Sequence, residues 1–98
     1  MRENHIFIYD RDYTFKRRFI AHLNDITGII EYENNILISC SSDTTFKLWN
    51  LNNSELNQSF EVNIYPINSI IKLQNGNLVS SSKNPKFPIE IWNIEIYE

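Results

Sequence analysis

Few side chains in this sequence are of the types that carry out chemistry. The 98 residues contain two histidines, His5 and His22, and a single cysteine, Cys40. His22 and Asp43 are a pair that could act in acid–base catalysis. A structural role explains this pair better, and Cys40 is expected to be a small buried thiol, because no positioned histidine accompanies it. Two histidines and one cysteine this far apart give no metal-ligand cluster. We therefore predict no catalytic residues, no metal site and no cofactor, and the chain is not expected to be an enzyme.

The composition limits which kinds of binding partner and which cellular compartment are expected. The formal net charge is −3, so the chain lacks the basicity that would hold nucleic acid or an anionic membrane. The only basic run, 16–18, is interpreted as residues of an outer edge strand that either oppose aggregation or are merely solvated, with contact to nucleic acid or lipid as the less favoured alternative. A single cysteine forms no internal disulfide, no apolar run is long enough for a membrane helix, and the N-terminus lacks a signal-peptide pattern. We expect a cytoplasmic or nuclear, intracellular protein.

A five-residue pattern recurs in the elements that must position these side chains. It reads apolar, any, apolar, aromatic, Asp or Asn, and it occurs at 6–10, 46–50 and 89–93. Its aromatic residues, Tyr9, Trp49 and Trp92, are 40 and then 43 residues apart. A second repeat agrees, because segments 26–43 and 67–84 are identical at seven of eighteen positions. A period of about 40–45 residues predicts the blades of a β-propeller.

Each repeat unit reads as short strands separated by turn residues. β-Branched and aromatic residues alternate with clusters of Asn, Ser, Gly and Pro, which is typical of antiparallel sheet. We predict two-residue hairpin turns at 34–35 and 75–76, and a longer loop at 83–88, where two prolines interrupt the pattern. Nine strands are predicted, at 5–9, 14–21, 26–33, 36–41, 45–51, 56–62, 67–73, 77–82 and 88–94.

The middle unit carries a more specific pattern: Ala21-His22, then Ser39-Cys40-Ser41-Ser42-Asp43, then Trp49-Asn50. These residues resemble the WD40 repeat family, and the resemblance extends over nearly the whole chain. It implies a structural hydrogen-bond network formed by His22, Ser39, Asp43 and Trp49. In the last unit, Asn63 and Asn84 stand in the His and Asp places while Ser80 and Trp92 are kept. We therefore expect the full network in the middle unit alone.

The resemblance implies an all-β fold, a partial WD40-type propeller of about two antiparallel four-stranded blades in an open, incomplete ring. Residues 5–21 would be the remnant of a preceding blade, 26–62 a complete blade, and 67–94 three strands of the next. The chain begins and ends on the same type of strand, so head-to-tail copies would duplicate that strand at every joint. We expect a fragment, with further propeller blades outside this chain.

The resemblance implies a non-catalytic scaffold segment for protein–protein interaction. The alternative is a substrate-recognition portion of a larger enzyme, or of a ubiquitin-ligase or kinase assembly, whose catalytic domain is absent from this chain. Protein partners are expected, and neither nucleic acid nor membrane. Exposed loop residues that lack a role in the core are the candidate partner contacts; these are Asn24, Asp25, Tyr65, Lys83 and Phe87.

Overall fold

The computed structural model describes residues 3–62 and 65–94, and all regular structure in these two ranges is β-strand. Every strand that the sequence predicted is present, with bounds shifted by no more than two residues. The described strands are β1 Asn4–Tyr9, β2 Phe15–His22, β3 Ile26–Glu33, β4 Ile36–Ser41, β5 Thr45–Asn50, β6 Glu55–Glu61, β7 Ile67–Lys72, β8 Leu78–Ser82 and β9 Ile89–Trp92. This part of the chain contains no helix that is long and apolar enough to cross a membrane.

The strands form three antiparallel sheets in chain order. Sheet 1 contains β1 and β2, sheet 2 contains β3 to β6, and sheet 3 contains β7 to β9. Within each sheet, every strand pairs with the next one along the chain, so hairpins build all three sheets, and the sheets do not close into a ring. Connections therefore alternate between two ends of the molecule. One end, here called the His22 end, carries the β2–β3, β4–β5, β6–β7 and β8–β9 connections, and the other four lie at the opposite end.

Two tight turns at the opposite end show how local chemistry sets the hairpins. Residues 34–35 form the predicted two-residue turn, with Asn35 at φ 65°, a value that Asn tolerates well. The second prediction, a two-residue turn at 75–76, is wrong. Leu73 N donates to Asn77 O at 2.8 Å, so three residues lie between them, and Gly76 takes φ 91°. This is the three-residue type of hairpin loop, which places glycine at its left-handed position.

The core lies in sheet 2 because both of its faces are covered. The side chains of β4 alternate, with Ile38 and Cys40 packed in the apolar core shared with sheet 3 and Ser39 directed to sheet 1. Gly28 of β3 leaves room for the side chain of Cys40 in the same sheet, because a Cβ there would lie 3.0 Å from Cys40 Sγ; Ile70 Cγ2 of sheet 3 would lie at an ordinary contact distance of 3.7 Å. Apolar burial on both faces of a sheet is typical of stacked sheets.

One aromatic contact recurs at both junctions between sheets. Phe19 of sheet 1 lies 4.7 Å, centroid to centroid, from Trp49 of sheet 2. Phe46 of sheet 2 lies 5.4 Å from Trp92 of sheet 3 in an edge-on arrangement. Each tryptophan therefore packs against a phenylalanine of the sheet that precedes it.

Candidate functional site

His22 stands at the last position of β2 and joins sheet 1 to sheet 2. Its Nδ1 lies 2.9 Å from Asp43 Oδ2, and its Nε2 lies 2.7 Å from Ser39 Oγ. Trp49 Nε1 donates to the same Ser39 oxygen at 2.9 Å. The structure thus brings together the four residues for which the sequence suggested a network.

The strand register explains why Ser39 and Trp49 meet. Ser39 lies opposite Lys47, and Leu37 lies opposite Trp49, across the β4–β5 pair. Ser39 and Trp49 are therefore diagonal neighbours on one face, the face toward sheet 1, within reach of a long aromatic side chain. The indole N–H and the hydroxyl are both buried, so each needs the partner that this register supplies.

Asp43 is held by the turn between β4 and β5. Its Oδ1 accepts from Thr45 N at 2.9 Å and from Thr45 Oγ1 at 2.6 Å, and its own N–H donates to Ser41 Oγ at 3.0 Å. An aspartate that accepts from the backbone two residues ahead forms an Asx-turn. Thr45 is a member of the site that was not predicted, although a hydroxyl residue two positions after an aspartate in a turn is a signal that the sequence contains.

A neutral His22 satisfies every hydrogen bond of the network. A neutral His22 with its proton on Nδ1 donates to Asp43 and accepts the Ser39 hydroxyl at Nε2, which leaves Ser39 Oγ free to accept from Trp49. Burial lowers the pKa of His22 below 6.5, and the nearby Asp43 only partly opposes this shift. Burial acts to raise the pKa of Asp43, but hydrogen bonds from Thr45 and His22 outweigh it and lower that pKa below 3.8.

The contacts Ser39–His22–Asp43 follow the same order as those of a catalytic serine triad. The environment does not suit that chemistry, because Ser39 is 0 % exposed and its oxygen already has two partners. A substrate carbonyl could not reach this hydroxyl. The Cys40 thiol is also fully buried, and burial raises its pKa, which disfavours the nucleophilic thiolate. Within residues 3–62 and 65–94, no group of three His, Cys, Asp or Glu side chains could hold a metal ion.

Sheet 3 contains half of the same arrangement. Trp92 Nε1 donates to Ser80 Oγ at 3.0 Å, as Trp49 does to Ser39. Asn84 is buried in place of Asp43, and its Oδ1 accepts from Lys86 N at 3.0 Å and Phe87 N at 3.3 Å. Asn63, which the sequence placed at the histidine position, lies outside the described residues. Asn84 therefore shapes its own loop through backbone contacts.

A second bond between sheets involves Arg17. Its Nε donates to Ser54 Oγ at 2.6 Å, and its guanidinium also donates to Leu51 O, in the β5–β6 connection. The sequence analysis treated 16–18 as one solvated basic run. Strand alternation instead turns Arg17 toward sheet 2 and leaves Lys16 and Arg18 exposed.

The five predicted contact residues all belong to connections at the His22 end. Asn24 and Asp25 are exposed in the β2–β3 loop, and Asn24 Oδ1 accepts from Asp25 N at 2.8 Å. Lys83 and Phe87 are exposed in the β8–β9 loop. Tyr65 is half-buried in the β6–β7 connection, part of which lies outside the described residues. Partner binding by these residues stays a prediction.

Solved structures of other proteins resemble this chain. No family model matches the chain. The crystal structure of the WD40 beta propeller domain of Doa1 is similar with a TM-score of 0.79 and 22% sequence identity, over 93% of this chain and 30% of that chain. The crystal structure of the computationally designed Ika8 protein is similar with a TM-score of 0.63 and 20% identity, over 96% of this chain and 31% of that chain. The chain thus spans about a third of the length of these proteins, and the likeness concerns the fold.

Proposed function

Because this chain has the fold of part of a WD40 β-propeller, we propose that it is a non-catalytic segment that presents loops for protein–protein contact. The observation that carries the proposal is the contrast between the base and the tips of the connections at the His22 end. The hydrogen bonds of His22 lock the base of the β2–β3 loop. The connections at this end nevertheless carry exposed side chains, which are Asn24, Asp25, Lys83 and Phe87. Exposed loops on a rigid scaffold are the usual sites of binding.

Two contacts connect neighbouring loops at this end. His22 ties the end of β2 to Asp43 in the β4–β5 turn, and Ser42 N donates to Asp25 O at 3.0 Å. The β2–β3 loop is therefore fixed against the β4–β5 turn at both its start and its end. A loop that is already ordered loses less conformational entropy on binding, which supports a recognition role.

The chemistry-bearing side chains support a scaffold more than an enzyme. His22, Ser39 and Asp43 use their polar atoms to satisfy one another inside the junction between sheets. Cys40 is buried against Gly28 and Thr27. Each of these groups has a structural role, and none of them is placed to meet a substrate.

We also propose that further blades cover the outer faces of sheets 1 and 3. Ile89 and Ile91 on the outer face of sheet 3 are 66% and 65% exposed, whereas Phe46 and Leu48, at the corresponding positions of sheet 2, are 0% exposed. Repeat units bury such faces against their neighbours.

An intracellular location is part of the same proposal, since the one cysteine is free and buried.

Site-specific photo-crosslinking tests the proposed function. A photoreactive amino acid replaces Asn24 or Lys83 at the His22 end, and Tyr13 or Asn52 at the opposite end serves as the matched control. In cells that express the chain, we expect discrete protein adducts from the first two positions and none from the controls. Adducts of equal yield at both ends, or adducts from the opposite end alone, would refute the proposal.

A further inference from the structure

The β8–β9 loop, residues 83–88, is held in a fixed shape by its own side chains. Asn84 points inward, where its Oδ1 accepts from the backbone N–H groups of Lys86 and Phe87. Ser82 N donates to Pro88 O at 3.0 Å and closes the base of the loop. Pro85 and Pro88 restrict the backbone further. The loop therefore has an ordered conformation before any partner binds.

The same loop carries a local positive charge around an aromatic side chain. Lys83 and Lys86 are exposed, and neither side chain makes a hydrogen bond or an ion pair within residues 3–62 and 65–94. Phe87 is 58% exposed although it is large and apolar. The segment 83–88 contains no acidic residue, in a chain whose net charge is −3. This loop thus differs in charge from the chain as a whole.

We propose that the 83–88 loop binds an acidic protein segment in which carboxylates flank an apolar side chain. The two lysines attract and orient the carboxylates, and Phe87 provides an apolar anchor that a complementary side chain covers. Because Asn84 and the prolines already order the loop, binding costs little conformational entropy. This inference rests on the proposed function and names the chemistry of the partner at that end.

The charge distribution favours a protein segment over a polyanion. A nucleic acid or lipid surface is held mainly by the number of cations that neutralise phosphates, and this loop offers two. Asp25 is exposed in another loop of the same end, where it would repel an extended polyanion. A short acidic segment with one apolar residue matches the two lysines and the exposed Phe87 of this loop.

The probe is a short fluorescein-labelled peptide of Glu and Asp with one central Leu, titrated with the 98-residue chain and followed by anisotropy. We expect saturable binding, and Phe87→Ala should weaken it by about tenfold, as is common for a buried aromatic anchor. Tyr13→Ala removes an exposed aromatic at the opposite end and should leave the affinity within about twofold. Circular dichroism checks that each variant keeps the wild-type fold.

A charge exchange makes the test specific. The double variant Lys83→Glu/Lys86→Glu should lose the acidic peptide and gain binding to the same peptide with Lys at every acidic position. Lys16→Glu/Arg18→Glu changes the net charge equally at exposed positions of β2 and should keep the acidic peptide. Equal loss in both double variants would overturn the inference, because a nonspecific charge effect would then explain the binding.

Further outcomes separate this inference from the proposed function. Tighter binding of a single-stranded oligonucleotide or of anionic vesicles, sensitive to the same lysines, would overturn the acidic-segment partner. If position 24 crosslinks to protein partners but the wild-type chain does not bind the acidic peptide, the inference is overturned and the proposed function stands. Absence of adducts throughout the His22 end would count against the proposed function itself.

Discussion

Replacing Asp43 with alanine removes the acceptor on which the junction between sheets 1 and 2 depends. His22 Nδ1, inside the junction, loses its charged partner, and an unsatisfied buried donor costs about 1–3 kcal/mol. The two contacts from Thr45 are partly accessible to water, so their loss adds about 1 kcal/mol. Thr45 Oγ1 lies 3.2 Å from Nδ1 and can recover part of the lost bond. We expect Asp43→Ala to lower the free energy of unfolding by about 2–3 kcal/mol.

Asn84 is the natural control for this prediction. It occupies the corresponding turn of sheet 3, but its side-chain oxygen accepts only from the backbone of its own loop. Asn84→Ala should therefore cost about 1 kcal/mol. Asp43→Asn is a milder companion variant, because it keeps an acceptor for Thr45 and loses the charge, and we expect its cost to lie between those of the two alanine variants.

The assay is equilibrium urea unfolding of the 98-residue chain, followed by circular dichroism. With a slope of about 1 kcal/mol per molar urea for a small domain, the predicted loss shifts the midpoint by about 2–3 M for Asp43→Ala and about 1 M for Asn84→Ala. Equal midpoints for the two variants would show that the contact between His22 and Asp43 adds nothing, and the reasoning would then be wrong. An Asp43→Ala cost that is unchanged in a His22→Gln background would lead to the same conclusion.

Three further predictions concern other parts of the same architecture. Because the pKa of His22 is lowered below 6.5, the unfolded chain binds a proton on this residue at pH values where the folded chain does not. The free energy of unfolding should therefore fall as the pH drops below about 6.5. In the variant His22→Gln, the urea midpoint should depend less on pH in this range. Gly28→Ala places a methyl group against Cys40 and should cost about 1–3 kcal/mol by thermal unfolding, and Cys40→Ala in the same chain should recover part of the loss. Arg17→Met removes two hydrogen bonds to the β5–β6 connection and should increase amide hydrogen exchange there. Arg18→Met, at an exposed neighbouring position, should leave that exchange unchanged.

The sequence predicted the strands well because their pattern is local. The repeated aromatic–Asp/Asn ending and the alternation of apolar residues fix where each strand begins and ends. The Gly76 turn was one residue longer than predicted, since Asn-Gly also occurs in three-residue loops that place glycine last. Turn length depends on the pairing of the residues on either side, which a short dipeptide signal does not specify.

Contacts between sheets were harder to predict than the sheets themselves. The direction in which Arg17 points depends on which face of sheet 1 meets sheet 2, and a single strand does not reveal that choice. The bonds of Thr45 to Asp43 are local, but its contact with the ring of His22 depends on a residue that approaches from another sheet. The resemblance pointed to the His22, Ser39, Asp43 and Trp49 set because its spacing is stereotyped, while their partners outside that pattern required the packed structure.

His22 belongs to sheet 1 by pairing and to sheet 2 by its side-chain bonds. The contiguous stretch 22–49 therefore holds all four members of the hydrogen-bond network between the two sheets, although it includes no complete sheet. A gene duplication that copies such a stretch copies the whole hydrogen-bond network. The new repeat unit can then form the same contacts with the unit that precedes it. A duplication bounded by the sheets would separate the histidine from its partners. Repeat arrays of this kind can thus gain units without having to evolve a new contact between neighbouring sheets each time.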